Sequence, residues 1–180
     1  MKYFIASDIH GSAYYCERML DSFKKECADK LLLLGDILYH GPRNDLPRDY
    51  APKKVIEMLN AIPDKILCVR GNCDTEVDQM VLKFPILAQY CIISHGKRMI
   101  FATHGHTFNT DNLPPLSKGD ILLHGHTHIP KCEECGDITY LNPGSTSIPK
   151  ENSHNGYMTF EEGLFLWKDF DGNVIKEFRM

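Results

Sequence analysis

Lys2-Tyr3-Phe4-Ile5-Ala6-Ser7-Asp8-Ile9-His10-Gly11 opens the chain with an apolar run that stops at a carboxylate, an imidazole and a glycine. It reads as a buried strand followed by a sharp turn. Ser12 is placed to cap the next segment. There Cys16, Met19, Leu20, Phe23 and Cys27 recur at three- and four-residue spacing, the pattern of an amphipathic helix. Leu31-Leu32-Leu33-Leu34 gives a second buried strand, and it ends in Gly35-Asp36. A strand–helix–strand unit therefore leaves one acidic residue just past each strand. In α/β sheets, sites collect at the carboxyl ends of strands, so Asp8, His10 and Asp36 are expected on one edge.

The same grammar continues downstream. Residues 39–52, with Gly41, Pro42, Pro47 and Pro52, read as a long loop, and loops of that length in a small domain are often functional. Val55, Ile56, Leu59 and Ile62 predict a second helix. Residues 66–69 predict a third strand, which runs into Arg70-Gly71-Asn72-Cys73-Asp74. The second half is richer in strands. Residues 86–94 and 99–103 form a hairpin around His95-Gly96-Lys97-Arg98, and Thr103-His104-Gly105-His106 ends it. Residues 121–123 lead to His124-Gly125-His126-Thr127-His128, and residues 138–141 lead to Asn142-Pro143-Gly144-Ser145. Three further strands are expected at 157–160, 164–170 and 174–178. The pattern predicts one α/β (α+β) domain over residues 1–180, built as two packed β-sheets covered outside by helices.

Composition narrows the function. The chain has 180 residues, 43% hydrophobic and 24% charged, with a net charge of −4. Such a chain builds a core without disulfides and lacks the basic surface of a nucleic-acid-wrapping protein. A small phosphate-containing substrate held by a few local cations stays compatible. The seven cysteines are odd in number and mostly lie in apolar runs, so they read as buried thiols. The N-terminus turns polar too early for a signal peptide, and no apolar run reaches the length of a membrane span. A cytoplasmic enzyme with no membrane partner is expected.

Seven oxygen and nitrogen donors follow apolar strands: Asp8, His10, Asp36, Asn72, His104, His126 and His128. In extended backbone, positions two apart share a side, so His126 and His128, like Asp8 and His10, would face one point. One ion rarely takes seven protein ligands of this mixed kind. Two ions sharing a carboxylate would use them, with Asp36 as the bridge. Mixed imidazole, carboxylate and amide donors suit Mn²⁺, Fe²⁺ or Zn²⁺ better than Mg²⁺ or Ca²⁺, and a structural zinc site would be richer in thiolate. Two ions about 3.5–4 Å apart can hold a hydroxide and clamp a phosphoryl group, which points to phosphoester hydrolysis.

Asp8-Ile9-His10, Gly35-Asp36, Gly71-Asn72-Cys73-Asp74, Thr103-His104-Gly105-His106 and Gly125-His126-Thr127-His128 resemble, in order, the signature of the calcineurin-like metallophosphoesterases. Gly41-Pro42-Arg43-Asn44, Val77-Asp78-Gln79-Met80 and Asn142-Pro143-Gly144-Ser145 resemble its small bacterial YfcE-type phosphodiesterase branch, which shares its fold with archaeal relatives and the eukaryotic Vps29 subunit. The resemblance implies the metallo-dependent phosphatase fold, a four-layer sandwich of two mixed sheets flanked by helices. It implies that Asp8, His10 and His128 hold one ion and Asn72, His104 and His126 a second, with Asp36 shared. Manganese is the implied metal, with Fe²⁺, Zn²⁺ or Ni²⁺ as alternatives, and small phosphodiesters are the implied substrates. Asp36, Asn72, Cys73 and His104 are then the residues expected at the reacting phosphate.

Cys73 departs from the histidine found there in much of the superfamily. A thiol, with an ordinary pKa of about 8.5, is a weak general acid, so aryl esters should suffer least. Two other readings compete with the diesterase. One is a Vps29-like scaffold that works by binding partners, from which this chain differs in keeping all seven donors. The other is a phosphomonoesterase.

Several residues carry two readings each. Arg43 and Asn44 are expected to contact substrate, since a guanidinium matches phosphate geometry. His106 is a substrate contact or a solvated loop residue, His40 a phosphate contact or a solvated one, and Arg70 a substrate group or an ion-pair partner. His124 is expected in the packed strand and not among the ligands. His95 and His154 are expected on the surface. Cys132-Glu133-Glu134-Cys135 has no second cysteine pair, and Gly136-Asp137 follow it, so it reads as a hairpin turn with two thiols ahead of a zinc knuckle. Oligomeric state is open, with a homodimer or homotetramer among the expectations.

Overall fold

Strands β1 (Tyr3–Ala6), β2 (Lys30–Leu33) and β3 (Ile66–Cys68) pair in parallel, joined through helices α1 (Ala13–Lys25) and α2 (Pro52–Leu59). Ser12 caps α1 as expected, its hydroxyl accepting from the Tyr15 N–H at 3.3 Å. The computed structural model describes all residues, 1–180. The helix stops at Lys25, so Cys27 lies beyond it, exposed and at φ 50°, and is not part of the apolar stripe. A third helix, α3 (Glu76–Val81), was not expected. Thr75 and Asp78 close a capping box at its start.

The six-stranded sheet has the order β11-β10-β9-β1-β2-β3, completed by β9 (Gly156–Glu161), β10 (Leu164–Asp169) and β11 (Val174–Arg179). The five-stranded sheet has the order β4-β5-β6-β8-β7. Its members are β4 (Tyr90–His95), β5 (Arg98–Thr103), β6 (Ile121–Leu123), β7 (Lys131–Cys135) and β8 (Ile138–Asn142). Strands β5, β6 and β8 run parallel, with β4 and β7 antiparallel at the edges.

Strand alternation sorts the core into layers. Phe4, Ala6, Leu31 and Leu33 face α1 and α2, meeting Cys16, Met19, Val55 and Leu59. Their neighbours Ile5, Leu32 and Leu34 face the other sheet, against Ile100, Ala102, Leu123 and Leu141. The two-sheet sandwich expected from the sequence is what forms. Outside the five-stranded sheet the covering is irregular, with Phe108 and Leu116 packed on Phe101, Leu122 and Ile138.

Strand alternation also settles the cysteine pair. Cys132 and Cys135 lie on strand β7 itself, with Gly136-Asp137 as the turn. Three positions apart, they point to opposite faces: Cys132 packs into the inter-sheet core and Cys135 against the outer cluster. They cannot jointly hold an ion. His95 is half-buried at the hairpin end, edge-on to Phe160 with ring centroids 5.5 Å apart, so it is less exposed than expected.

Candidate metal centre

All seven donors sit just past the carboxyl ends of parallel strands. Asp8 and His10 follow β1, Asp36 follows β2, and Asn72 follows β3. His104 follows β5, and His126 and His128 follow β6. The site therefore straddles both sheets. The backbone there is not the extended chain assumed from the sequence. Asp8, His10, Asp36, His126 and His128 have φ of 58°, 49°, 56°, 65° and 64°. Left-handed backbone is uncommon for residues with a side chain, so the pairs two apart converge through strained turns and not through strand alternation.

Buried hydrogen bonds hold these turns. The Asp74 carboxylate accepts from the N–H groups of Gly71 (2.7 Å), Asp36 (2.8 Å) and Ile37 (2.9 Å). Ser145 and Ser147 hydroxyls donate to the Asp8 carbonyl at 2.9 and 3.0 Å. The Asn142 amide donates to the Gly125 carbonyl at 2.9 Å. Two glycines are needed for close approach: a β-carbon on Gly71 would run into Asp36 Oδ1, and one on Gly125 into Ser7 Oγ. Asp74 and the 142–147 turn position the candidate site, and sequence reasoning gave them no role. Their signal was present in the motifs, but a residue that only orients others shows no donor spacing of its own.

The ring nitrogens fix the chemistry. His10, His104 and His128 each turn Nδ1 to a backbone carbonyl, of Tyr39 (2.7 Å), Leu34 (2.6 Å) and Ile148 (2.6 Å). A carbonyl only accepts, so Nδ1 carries the proton and Nε2 presents a lone pair inward. Yet His10 Nε2 and His128 Nε2 are 3.2 Å apart, with Asp8 Oδ1 at 3.7 and 3.3 Å from them. Asp8 Oδ1 is buried without a hydrogen-bond partner. A second group gathers at His104 Nε2, with Asn72 Oδ1 at 3.0 Å, His126 Nδ1 at 3.1 Å and Asp36 Oδ2 at 3.5 Å. Asp36 Oδ2 is also 3.6 Å from His10 Nε2. Its Oδ1 accepts from the Cys73 N–H at 2.9 Å.

Lone pairs packed this way repel unless positive charge sits among them. The side chains answer in that sense. Burial works against charge on His10, but the Asp8 and Asp36 carboxylates raise its pKa. His104 is raised to about 9 against the same burial, by Asp36 and Asp8. Asp8 falls well below the carboxylate range despite complete burial, through His10 and His128. His126, lowered to about 4 by burial and by His104, stays a neutral donor. The donor set fits divalent ions, and Asp36 faces both groups.

A cavity of about 390 Å³ opens over this centre. Arg43 and Asn44 line it together with Asp36, Asn72, Cys73, His126 and His128, and so does Lys150, which the sequence reading missed. Lys150 is brought there by its N–H donating to the His128 carbonyl at 3.2 Å. Burial and the carboxylates of Asp36, Asp74 and Asp8 push the Cys73 thiol far up, so it stays protonated. His106 lines a separate cavity of about 310 Å³ with His124, sharing His126 and Thr127 with the first. His124 is buried in the strand extension, stacked on Tyr140 at 4.4 Å and lowered to about 4 by burial. Its Nδ1 faces the Gly125 carbonyl at 3.0 Å. His40 lies edge-on between Tyr39 and Tyr50 and does not line the main cavity. Arg70 is an ion-pair partner of Glu76 at 3.3 Å and donates to the Asp74 carbonyl.

Residues 1–163 match the sequence profile of the calcineurin-like phosphoesterase superfamily domain. The chain belongs to that superfamily. It is 52% identical to phosphodiesterase YfcE of Escherichia coli K12 over 157 residues, 87% of this chain and 85% of the relative. The solved structure of YfcE, described as a phosphoesterase from E. coli, superposes with a TM-score of 0.95 at 46% identity, covering 99% of each chain. An archaeal phosphodiesterase structure superposes at TM-score 0.63 and 19% identity over the full length of both chains, a likeness of fold. A vacuolar protein sorting 29 structure from Cryptosporidium parvum, at 0.62 and 18% over 99% and 98%, shares the fold likewise. The chain is thus a metal-dependent phosphoesterase of the calcineurin-like type, and no helix in it is long and apolar enough to cross a membrane.

Proposed function

We propose that this calcineurin-like phosphoesterase hydrolyses small phosphodiesters at a centre for two divalent ions, with Mn²⁺ preferred. The observation that carries the reading is Asp36 Oδ2, within 3.6 Å of His10 Nε2 and 3.5 Å of His104 Nε2, joining two donor groups through one oxygen. Bound ions supply a hydroxide nucleophile near neutral pH and offset the charge on the phosphoryl oxygens. The chain's own residues do the rest. Asp8, His10 and His128 form one donor set, and Asn72, His104 and His126 the other. Arg43 and Lys150, both lining the cavity, pair with the non-bridging phosphate oxygens. Asn44 ties the loop that carries Arg43, its amide donating to the His40 carbonyl at 2.8 Å. Cys73 stands at the cavity wall as a neutral thiol and a weak acid, which favours esters with good leaving groups.

The diester reading takes support from YfcE, named a phosphodiesterase. A net charge of −4 favours a small diester over a nucleic-acid polymer. Buried thiols at Cys16, Cys68 and Cys73 suit a reducing compartment, the cytoplasm. The test compares turnover of bis(p-nitrophenyl) phosphate and p-nitrophenyl phosphate with added Mn²⁺. The diester should be turned over faster by about tenfold or more. A faster monoester overturns the diester assignment. Turnover of neither, with ions demonstrably bound, replaces hydrolysis with a binding role.

A further inference from the structure

Only one of the eleven residues lining the metal cavity is hydrophobic. Cys73 is its exception in position: the same side chain also lines a neighbouring groove of about 400 Å³ on the other side. Seven of the ten residues lining that groove are apolar. Its floor is Leu38 and Ile56. One wall is Tyr39, 42% exposed, and the other is the face of α3 that presents Val77 and Val81, 69% and 43% exposed. Residues four apart on a helix stack on one face, so both valines address the groove together. At that wall Asp78 turns Oδ2 to the helix start, where it accepts from the Thr75 N–H at 2.8 Å and from its hydroxyl at 2.9 Å.

The groove is also fixed relative to the donors. The Tyr39 carbonyl accepts a hydrogen bond from His10 Nδ1 at 2.7 Å, and the Tyr39 ring is braced edge-on by His40 against Tyr50. A ring lying against Tyr39 is therefore held at a set offset from the metal centre. We propose that this groove is the subsite for an aryl or similarly flat apolar arm of the phosphodiester, with Tyr39, Val77 and Val81 as specificity-determining contacts. The inference rests on the phosphodiesterase reading for the place of the phosphate. The groove's size falls in the range of about 300–1,000 Å³ usual for small-molecule pockets. Its junction with the cavity at Cys73 is what favours a substrate arm over a second copy of the chain.

The test measures equilibrium binding of diphenyl phosphate and dimethyl phosphate, two monoanions that differ only in their arms, to the Mn²⁺-supplemented protein by calorimetry. The parent should bind diphenyl phosphate about tenfold more tightly, as partial burial of one ring predicts. In the double variant Val77→Ser, Val81→Ser that ratio should fall to about twofold or less, with KM for bis(p-nitrophenyl) phosphate rising more than kcat falls. Because α3 buries none of its residues, the variant should melt with the parent. Met80→Ser, on the same helix and outside the groove, should keep the parental ratio. Equal binding of the two anions, no binding of diphenyl phosphate, or an unchanged ratio in the double variant overturns the proposal. An unchanged ratio accompanied by loss of a dimer in sedimentation reassigns the groove to contact between copies. Failure of the phosphodiesterase reading would show separately, as absent turnover with the binding ratio intact.

Discussion

Five donors hold left-handed backbone, a conformation that costs of order 1–2 kcal/mol per residue with a β-carbon. It persists here because Asp74, Ser145, Ser147 and Asn142 bind the peptide groups of the same turns. The three histidines of 124–128 show how finely position decides role. His126 and His128 turn their nitrogens to the donor clusters, while His124 stacks on Tyr140. His126→Ala and His128→Ala should each weaken ion binding by about tenfold or more and lower activity with it. His124→Ala should instead cost about 1–2 kcal/mol of stability and keep ion binding. Ion titration and thermal melts separate the two; a loss of ion affinity in His124→Ala at unchanged melting temperature would reverse the assignment. At this scale the sequence marked the side chains that the fold brings together, because glycine beside a polar residue after an apolar run is a local pattern. It did not reveal Lys150 or Asp74, whose places depend on hydrogen bonds made in the folded chain.

Strands and long helices were legible wherever apolar periodicity was strong. Helix α3 was missed because it buries no residue and so carries no period. Strand β7 reads as a turn because this edge strand sets two adjacent exposed glutamates between half-buried cysteines and so shows no period of two. Where elements meet, charge does the joining. Glu26, just past α1, accepts from Lys2 of the chain start at 2.7 Å, from Tyr157 on β9 at 2.9 Å and from Lys168 on β10 at 2.7 Å. Burial would raise its pKa, but Lys168, Lys2 and Tyr157 together bring it down to about 2 from 4.5. A carboxylate lowered in the folded state stabilises it above the unfolded pKa and loses that effect as pH falls through the folded value. Stability should therefore drop between about pH 4.5 and 2. The Glu26→Gln variant, about 1–2 kcal/mol less stable at neutral pH after solvent screening, should show a shallower acid decline in denaturant melts. Parallel acid profiles for parent and variant would remove this role.

On the scale of the whole molecule, the six-stranded sheet brings Asp8, His10, Asp36 and Asn72, and the five-stranded sheet brings His104, His126 and His128. An ion held between them would link the two layers. At a hundredfold excess over Kd, Mn²⁺ should stabilise the fold by about 2.7 kcal/mol and raise Tm by about 5–10 °C. A chelator should reverse the shift, and His126→Ala should blunt it. A Tm indifferent to Mn²⁺ and to chelator would show that the native donors take no ion. The sandwich itself was legible from the change of character between the two halves of the chain. Which strands of which sheet meet was not, since pairing of distant segments leaves no local mark.

The placement of Asp8 against His128, 3.3 Å apart though drawn from opposite ends of the site's sequence, bears on the order of events during synthesis. Asp8, His10, Asp36 and Asn72 emerge first, whereas His104, His126 and His128 belong to the second sheet and meet them only when the two sheets, whose strands run on to Arg179, have docked. Contacts so distant along the chain form late. Ion capture would then wait on the docking of the two sheets, open to assembled molecules and closed to half-built ones.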